Sequence, residues 1–214
     1  MSRSSLLCAA VFFPVLLLQA QEQKSIVLPK PQTEGGKPLM QALKERSSGR
    51  EFSTRELPPQ VLSNLLWAAC GVNRPESGKR TAPSASNRQE IDIYVATASG
   101  LYLYSPKEHR LQQVMPEDIR AAAGRQDFVK DVPVNLIYVA DFAKMGGSQE
   151  QDKIFYSAAN TGFIAQNVYL YCASEGLVTV VRGLVDRPAL ARTMKLRPDQ
   201  RVVLAQSVGY PASK

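Results

Sequence analysis

Two arginines that could bind an anion stand close together in the stretch ERSSGREF, residues 45–52. Arg46 and Arg50 enclose two serines and a glycine. A guanidinium group binds a phosphate or carboxylate through paired, charge-assisted hydrogen bonds, and a serine hydroxyl beside it can donate or accept. A polar loop that follows a helix has the same composition. The stretch by itself therefore leaves two interpretations open, an ordinary loop and an anion-binding site.

The elements that must position this stretch are a mixture of helices and strands. Apolar residues at helical spacing predict helices over residues 38–48, 57–71, 115–129, 152–176 and 187–196. Alternating or continuous apolar runs predict strands over residues 90–97, 101–105, 110–114, 132–140, 177–181 and 200–211. Residues 73–89 are predicted to form a long loop. Because the helices and strands do not alternate regularly, we expect an α+β fold with a mainly antiparallel central sheet wrapped by helices.

The composition limits the size and the class of the protein. The chain has 214 residues, and 44% of them are hydrophobic, which is enough for one domain with its own core. We place this single domain at residues 38–214. The formal net charge is +7, but the basic residues are scattered and form no run of like charges. No nucleic-acid partner is predicted.

The cysteines and the single histidine offer little chemistry. Cys70 and Cys172 lie in apolar helical sequence, which favours buried free thiols over a disulfide. His109 lies in a predicted hairpin turn, where we expect a surface residue rather than a catalytic one. With one histidine and no pair of cysteines at ligand spacing, no metal site is predicted.

The N-terminus has the features of a secretory signal. Arg3 precedes an apolar run over residues 6–18, which is shorter than the roughly 20 residues of a membrane-spanning helix. We predict a signal peptide over residues 1–20, a mobile leader over residues 21–37 and no stable membrane span after cleavage. The protein would then be exported, to the periplasm or beyond. An uncleaved membrane anchor is the alternative, and without export the protein stays cytoplasmic.

Four stretches of the sequence, taken in order, resemble the FMN-dependent nitroreductase superfamily. Within that superfamily they are most similar to the dehydrogenases associated with azole-forming (thiazole- or oxazole-forming) peptide synthetases. The stretches are ERSSGREF, APSASNRQEIDIYV, GLYLYSPKEHRL and AANTGFIAQNVYLYCASEGL, and the likeness extends from about Leu39 to Tyr210. The resemblance implies a nitroreductase-like α+β fold, an intertwined homodimer and FMN bound at the dimer interface by both subunits.

The resemblance also implies the residues that bind FMN. In one subunit the phosphate, the ribityl chain and the ring edge would contact Arg46, Ser47, Ser48 and Arg50. The other subunit would contribute Pro83, Ser84, Ala85 and Asn87. The isoalloxazine ring would face, near its reactive nitrogen, the segment Val181, Arg182 and Gly183. No catalytic side chain is assigned, because hydride transfer to a flavin needs geometry rather than a side-chain acid or base.

The chain departs from the family pattern at its C-terminus. The sequence GYPASK lacks the basic tail that contributes to the phosphate site in many family members. We therefore expect part of the phosphate charge to come from Arg46 together with Lys79 or Arg80.

The implied activity is two-electron (hydride) transfer to or from a small aromatic, quinone-like or nitro-like molecule. NAD(P)H as the electron donor is left open. Oxidation of a dihydro-azole ring is an alternative, and a non-catalytic flavin-binding or ligand-binding relative is another.

Overall fold

A seven-stranded antiparallel sheet forms the centre of the computed structural model, which describes residues 24–212. The strands and helices, in chain order, are β1 (Ser25–Val27), α1 (Leu39–Glu45), α2 (Pro59–Cys70), β2 (Val72–Arg74), β3 (Lys79–Arg80), β4 (Ile91–Thr97), β5 (Gly100–Ser105), β6 (Arg110–Met115), β7 (Val134–Asp141), α3 (Glu150–Glu175), β8 (Val178–Arg182), α4 (Arg187–Thr193) and β9 (Gln200–Gly209). The main sheet has the strand order β1-β6-β5-β4-β7-β9-β8, and each neighbouring pair is antiparallel. The predicted α+β fold is confirmed.

The two faces of the sheet bury separate cores. Helices α2 and α3 cover one face, where Leu65 and Val168 pack against Ile93 of β4. Helix α4 covers part of the other face, where Leu190 packs with Tyr94 of the same strand. Successive side chains of a strand point to opposite faces, so the alternation along β4 divides the protein into these two layers.

The predicted helices over 38–48, 57–71, 152–176 and 187–196 are confirmed, with ends that differ by a few residues. Gly176 ends α3 in the left-handed conformation at φ 69°, as a glycine C-cap does. The predicted strands are also present, and every residue of β7 is buried.

The predicted helix over residues 115–129 is wrong. The segment forms two short 3-10 turns, Arg120–Ala123 and Asp127–Lys130, separated by Gly124. A Cβ atom at Gly124 would lie 1.8 Å from Nη1 of Arg182. That same nitrogen donates a 2.7 Å hydrogen bond to the carbonyl oxygen of Ala123. The buried arginine therefore takes the place that a continuing helix would fill.

Two predicted irregular segments are more ordered than the sequence indicates. Residues 73–89 contain the β2–β3 hairpin and a 3-10 turn at Ala85–Asn87, so the prediction of a plain loop is wrong there. The prediction of a mobile leader is wrong for β1 and the residue after it. Strand β1 pairs with β6 at the edge of the sheet, and the Leu28 side chain is buried in the core. Because an edge strand exposes unpaired backbone groups, β6 can bind a short segment whose own sequence is unremarkable.

The thiol and membrane predictions can be compared with the described residues. Cys70 and Cys172 are free and buried, as expected. Burial in the core raises the pKa of the Cys70 thiol to about 11, so this thiol is unreactive at neutral pH. None of the helices between residues 24 and 212 has the length and apolar character needed to cross a membrane. The predicted signal peptide over residues 1–20 lies outside the described residues.

His109 occupies the turn between β5 and β6, as predicted, but it is not a free surface residue. Its Nε2 lies 2.7 Å from the Ser63 hydroxyl, and its Nδ1 lies 3.0 Å from the Tyr104 hydroxyl. Ser63 donates its only proton to the carbonyl oxygen of Pro29 at 2.6 Å. Nε2 therefore donates to Ser63. In the neutral imidazole, the form that burial favours, Nδ1 accepts from the Tyr104 hydroxyl.

This hydrogen-bond chain predicts a loss of stability in acid. Burial lowers the pKa of His109, and the hydrogen-bond acceptor that the Pro29 carbonyl offers to the imidazole opposes the shift without cancelling it. Because the folded state binds the proton more weakly than the unfolded state, its stability contribution is present above about pH 6.5 and is lost as the pH falls through the lowered value. Urea unfolding at a series of pH values should show this loss in the wild type. The variant His109→Gln should lack this pH-dependent component, and an unchanged profile would contradict the assignment.

Candidate flavin site

The ERSSGREF stretch is fixed between the end of α1 and the free edge of β8. The amide of Arg46 ends α1 by donating to the Ala42 carbonyl at 2.9 Å. Gly49 N–H donates to the Thr179 carbonyl of β8 at 3.1 Å. A Cβ atom at Gly49 would lie 2.6 Å from Cγ1 of Val178, so only glycine permits this close approach. The stretch is therefore fixed to both α1 and β8, and residues 45–52 are called the strap below.

Tyr169 of α3 joins three of the predicted site residues. Its hydroxyl lies 2.8 Å from the Ser48 hydroxyl and accepts a 2.9 Å hydrogen bond from Val181 N–H. The guanidinium carbon of Arg46 lies 5.3 Å from the centre of the Tyr169 ring, in a cation–π contact. Sequence analysis did not single out this tyrosine. The available signal was a tyrosine within the largely apolar helix sequence AANTGFIAQNVYLYC. A tyrosine that is partly buried there needs a hydrogen-bond partner for its hydroxyl.

The strap presents two unpaired cations to solvent, beside the carboxylates of Glu45, which pairs with Lys37, and Glu51. Ser47, Ser48 and Arg50 are exposed, and Arg46 is half-buried. Among the ion pairs of residues 24–212, none involves Arg46 or Arg50. Two arginines without an ion-pair partner and two hydroxyls fit a phosphate and a polyhydroxy chain.

The prediction that Val181, Arg182 and Gly183 face the flavin ring is wrong for the side chain of Arg182. Arg182 is only 2% exposed and points into the core. It donates to Asn135 Oδ1 at 2.9 Å and to Ser207 Oγ at 3.2 Å, besides the bond to Ala123. Alternation along the strand directs this side chain to the face that α3 does not cover. Its guanidinium therefore has a structural role.

The main chain around Gly183 remains suited to a ligand. Val181 directs its N–H away from β9, toward Tyr169. Main-chain groups of alternate residues in an antiparallel edge strand point the same way, so Gly183 N–H also points away from the sheet. Gly183 is exposed. An outward main-chain donor on an exposed glycine allows close approach of a planar ring.

The second predicted group, Pro83 to Asn87, packs on the N-terminal half of α3. Ala85 N–H donates to Asn160 Oδ1 at 3.2 Å, and Asn160 Nδ2 donates to Glu90 Oε1 at 2.8 Å. The fully buried Glu90 thereby orients Asn160 toward the loop. Sequence analysis did not identify Asn160 or Glu90 as site residues, although a polar residue among apolar ones in a long helix was a signal.

The backbone of this second group is strained. Ser86, Asn87 and Gln89 have φ values of 53°, 52° and 50°, which cost about 1 kcal/mol or more each for residues with a side chain. The loop is held in this form by bonds such as Gln89 N–H to Ser84 Oγ at 2.9 Å. Nearby, Nε of Arg80 is buried and has no hydrogen-bond partner in the described part of the chain. An unpaired buried donor beside a strained loop indicates a ligand site.

Within one chain the two groups do not meet. Asn160 and Tyr169 stand nine positions apart on α3, which corresponds to about 13.5 Å along the helix axis and half a turn around it. They therefore project from opposite sides of the same helix. One flavin could contact both groups only if the second group came from another copy of the chain.

The antiparallel sheet with a long central helix that carries a polar group on each side is the fold that the comparisons with known proteins also find. The chain belongs to the nitroreductase family of oxidoreductases, because the model of the family described as "Nitroreductase family" matches residues 43–210. A candidate nitroreductase of Methanocaldococcus jannaschii is 31% identical over 169 residues, covering 74% of this chain and 85% of the relative.

Solved structures agree with this assignment. The crystal structure of a candidate nitroreductase from Ralstonia eutropha JMP134 is 45% identical and has a TM-score of 0.85, covering 89% of this chain and 90% of that one. A chain of the Escherichia coli microcin synthetase McbBCD complex has a TM-score of 0.68 at 20% identity, covering 96% of this chain and 85% of that one. At that identity the second likeness concerns the fold alone.

Proposed function

We propose that the protein is an FMN-dependent oxidoreductase that carries out two-electron transfer with a small aromatic, quinone-like or nitro-like substrate. The observation that carries this proposal is the cluster of Arg46, Ser48, Tyr169 and Val181 at the open edge of β8. The cluster combines a cation with two hydroxyls, and Gly183 N–H lies two residues beyond Val181 as an outward main-chain donor. These are the groups that a phosphorylated ribityl-isoalloxazine needs. When bound, FMN would supply the reversible hydride chemistry.

The residues of the chain have separate tasks in this proposal. Arg46 holds the phosphate with paired hydrogen bonds, and the serines of the strap bind ribityl hydroxyls. Arg80, which lines a small cavity with Pro83 and Ser84, supplies further positive charge from the second group. Gly183 N–H faces the reactive edge of the ring. Among residues 24–212, no group of acidic, histidine or cysteine side chains is arranged to hold a metal ion.

A homodimer completes the site in this proposal. Helix α3 carries Phe155 and Phe163 with 67% and 47% of their surface exposed, and α1 exposes Met40 by 76%. Large apolar side chains left exposed on neighbouring helices favour a protein partner. Since the second group lies on the opposite side of α3, a two-fold partner would bring its own Pro83–Asn87 loop to the first group. Sedimentation at falling protein concentration should show flavin released together with dissociation, and a monomer that retains flavin would contradict the shared site.

The proposed activity is tested by spectroscopy of the purified chain. Addition of FMN to the apoprotein should quench flavin fluorescence in a saturable way and yield a protein with flavin absorption. Anaerobic addition of NADH or NADPH should then bleach that absorption. Bleaching by dithionite alone would support the alternative, a flavin-binding relative without turnover. Absence of FMN binding would remove the proposal.

Arg50 is predicted to tune the flavin rather than to hold it. A fixed cation near N1 and O2 of the ring stabilises the negative charge of the reduced form and so raises the reduction potential. We expect Arg50→Ala to retain FMN and to lower its potential, as measured by redox titration against a reference dye. Arg55→Ala is the matched control, because Arg55 is also exposed but contacts the Tyr210 ring at 4.2 Å. Equal potentials in the wild type and in Arg50→Ala would refute this role.

A dihydro-azole substrate is the alternative that the sequence motifs favour. The β5–β6 hairpin of the GLYLYSPKEHRL stretch is formed, with Tyr104 paired to Leu111. Conversion of a thiazoline model compound to the thiazole, followed by ultraviolet absorbance, would distinguish this activity from nitro or quinone reduction.

Export of the protein is a further part of the proposal, motivated by the apolar run over residues 6–18. An exported oxidoreductase would meet little NAD(P)H, so its electrons would come from another reductant or a partner protein. N-terminal sequencing of the protein from its native cell tests this point. An intact N-terminus on cytoplasmic protein would contradict it.

A further inference from the structure

A groove with an excess of positive charge lies between α4 and β9, away from the proposed flavin site. Its volume is about 560 Å³. The cationic side chains around it, which define the basic groove, are Arg187, Arg192, Lys195, Arg197 and Arg201. Helix α4 packs on the core layer that α3 does not reach. The basic groove is therefore on the other face of the sheet from Tyr169.

Most of this charge is not neutralised. Arg197 pairs with Asp141 at 2.9 Å and with Asp199 at 3.2 Å. The third nearby carboxylate, Asp186, is paired with Arg125 at 3.1 Å. The remaining four cations of the basic groove form no ion pair with any described residue. Clusters of unpaired like charge repel one another, so an anion between them would be stabilised.

Two of these cations are held in place by the backbone. Arg187 donates from Nε and Nη2 to the Val203 carbonyl at 3.1 and 3.0 Å. Arg201 donates to the carbonyls of Pro198 and Gln200. Bonds to neutral carbonyls orient a guanidinium without removing its charge. These two fixed cations therefore add a constant positive potential to the basic groove without having to contact the ligand directly.

The other two cations, Arg192 and Lys195, are exposed, and their side chains make no hydrogen bond within the described residues. Lys195 has a φ of 53° at the end of α4, a position where glycine is the usual residue. A lysine there directs a long cationic side chain to the rim of the basic groove at some cost in backbone strain.

The floor of the basic groove is apolar. Ala191 and Leu196 are half-buried, Val202 is buried, and Pro188 and Pro198 complete the lining. An inorganic ion would gain nothing from such a floor. A ligand with an anionic head and an apolar body would use both parts of the surface.

We propose that the basic groove binds small organic monocarboxylates with an aromatic or medium-length aliphatic body, at a site separate from the flavin site. This inference rests on the groove itself and does not depend on FMN binding. The ligand carboxylate lies between Arg192 and Lys195, and its apolar body packs on Leu196 and Val202.

The test uses benzoate as the probe and NMR amide shifts of the purified chain as the measurement. We expect saturable shifts at Leu196 and Val202, and about tenfold or more weaker binding in the double variant Arg192→Ala/Lys195→Ala, since charge-assisted hydrogen bonds carry effects of that size. The matched control is Lys30→Ala/Lys130→Ala, which removes two exposed lysines elsewhere and should change the affinity less than about twofold.

Several outcomes would overturn the proposal. Equal weakening in the two double variants would mean that only net charge attracts benzoate. If benzamide bound as tightly as benzoate, the cations would have no role in binding. If inorganic phosphate bound as tightly as benzoate, the apolar floor would have none. Absence of saturable shifts at about 10 mM benzoate, roughly tenfold above a 1 mM Kd, would exclude the site.

Discussion

Arg46→Ala is expected to weaken FMN binding at least about tenfold, with the strap still in place. The guanidinium of Arg46 lies over the Tyr169 ring, and none of the ion pairs of residues 24–212 includes it. Its hydrogen-bond donors are therefore available to a dianionic phosphate, and loss of one or two charge-assisted bonds costs about 1.5–3 kcal/mol each. Fluorescence titration of FMN into the apoprotein measures the change in Kd.

The controls for Arg46→Ala separate charge from geometry. Lys44→Ala removes a cation in the last turn of α1, two residues away, and should leave the Kd within about twofold. Arg46→Lys keeps the charge but loses the planar fork, so it should give an intermediate Kd. Unchanged FMN binding in Arg46→Ala would contradict the phosphate assignment. In that case Arg80 beside Pro83 becomes the first candidate for the phosphate contact.

Arg182→Met is expected to have the largest effect on stability. The side chain is buried and donates to Ala123 O, Asn135 Oδ1 and Ser207 Oγ. Burial lowers the pKa of its guanidinium to about 10, so it remains charged at neutral pH. The substitution removes the bond to the Ala123 carbonyl and one bond each at Asn135 and Ser207, which stay bonded to each other. The loss of these three charge-assisted bonds in the core should reduce the free energy of unfolding by about 2–4 kcal/mol.

Urea unfolding of the apoprotein, followed by circular dichroism, measures that loss. Arg50→Ala is the matched control, because Arg50 is an exposed arginine and its loss should change stability by no more than about 0.5 kcal/mol. The two variants together distinguish a structural arginine from a ligand-binding one. Wild-type stability in Arg182→Met would mean that desolvation of the charge offsets all three hydrogen bonds.

The comparison of Arg46 with Arg182 shows the limit of sequence motifs. The resemblance assigns both arginines to the flavin site. Arg46 lies over Tyr169 beside β8, whereas Arg182, at the end of β8, points into the core. The motif predicts which backbone segments form the site. It does not fix which side of a strand a given side chain occupies, because a shift of one residue reverses the face.

The wrong helix over residues 115–129 has the same origin. Its local sequence has good helix formers, such as the AAA run before Gly124. The Ala123 carbonyl instead accepts a hydrogen bond from Arg182, which is 59 positions away in the sequence. Local propensity differs between helix and turn by only tenths of a kcal/mol per residue, so one buried tertiary contact decides the outcome.

The sequence by itself determined the elements with long, uninterrupted patterns. It determined α3, the buried strand β7 and the α+β class, since apolar periodicity follows directly from which side chains must leave water. It also determined that the ERSSGREF stretch follows a helix and carries two arginines, whereas the absence of ion pairs to them became visible only in the structure. Tertiary structure decided the rest. Only the structure shows that Tyr169 contacts Arg46, Ser48 and Val181 and that the Arg182 side chain is buried. The Pro83–Asn87 loop came to lie on the far side of α3, because these positions depend on contacts between residues that no local pattern connects.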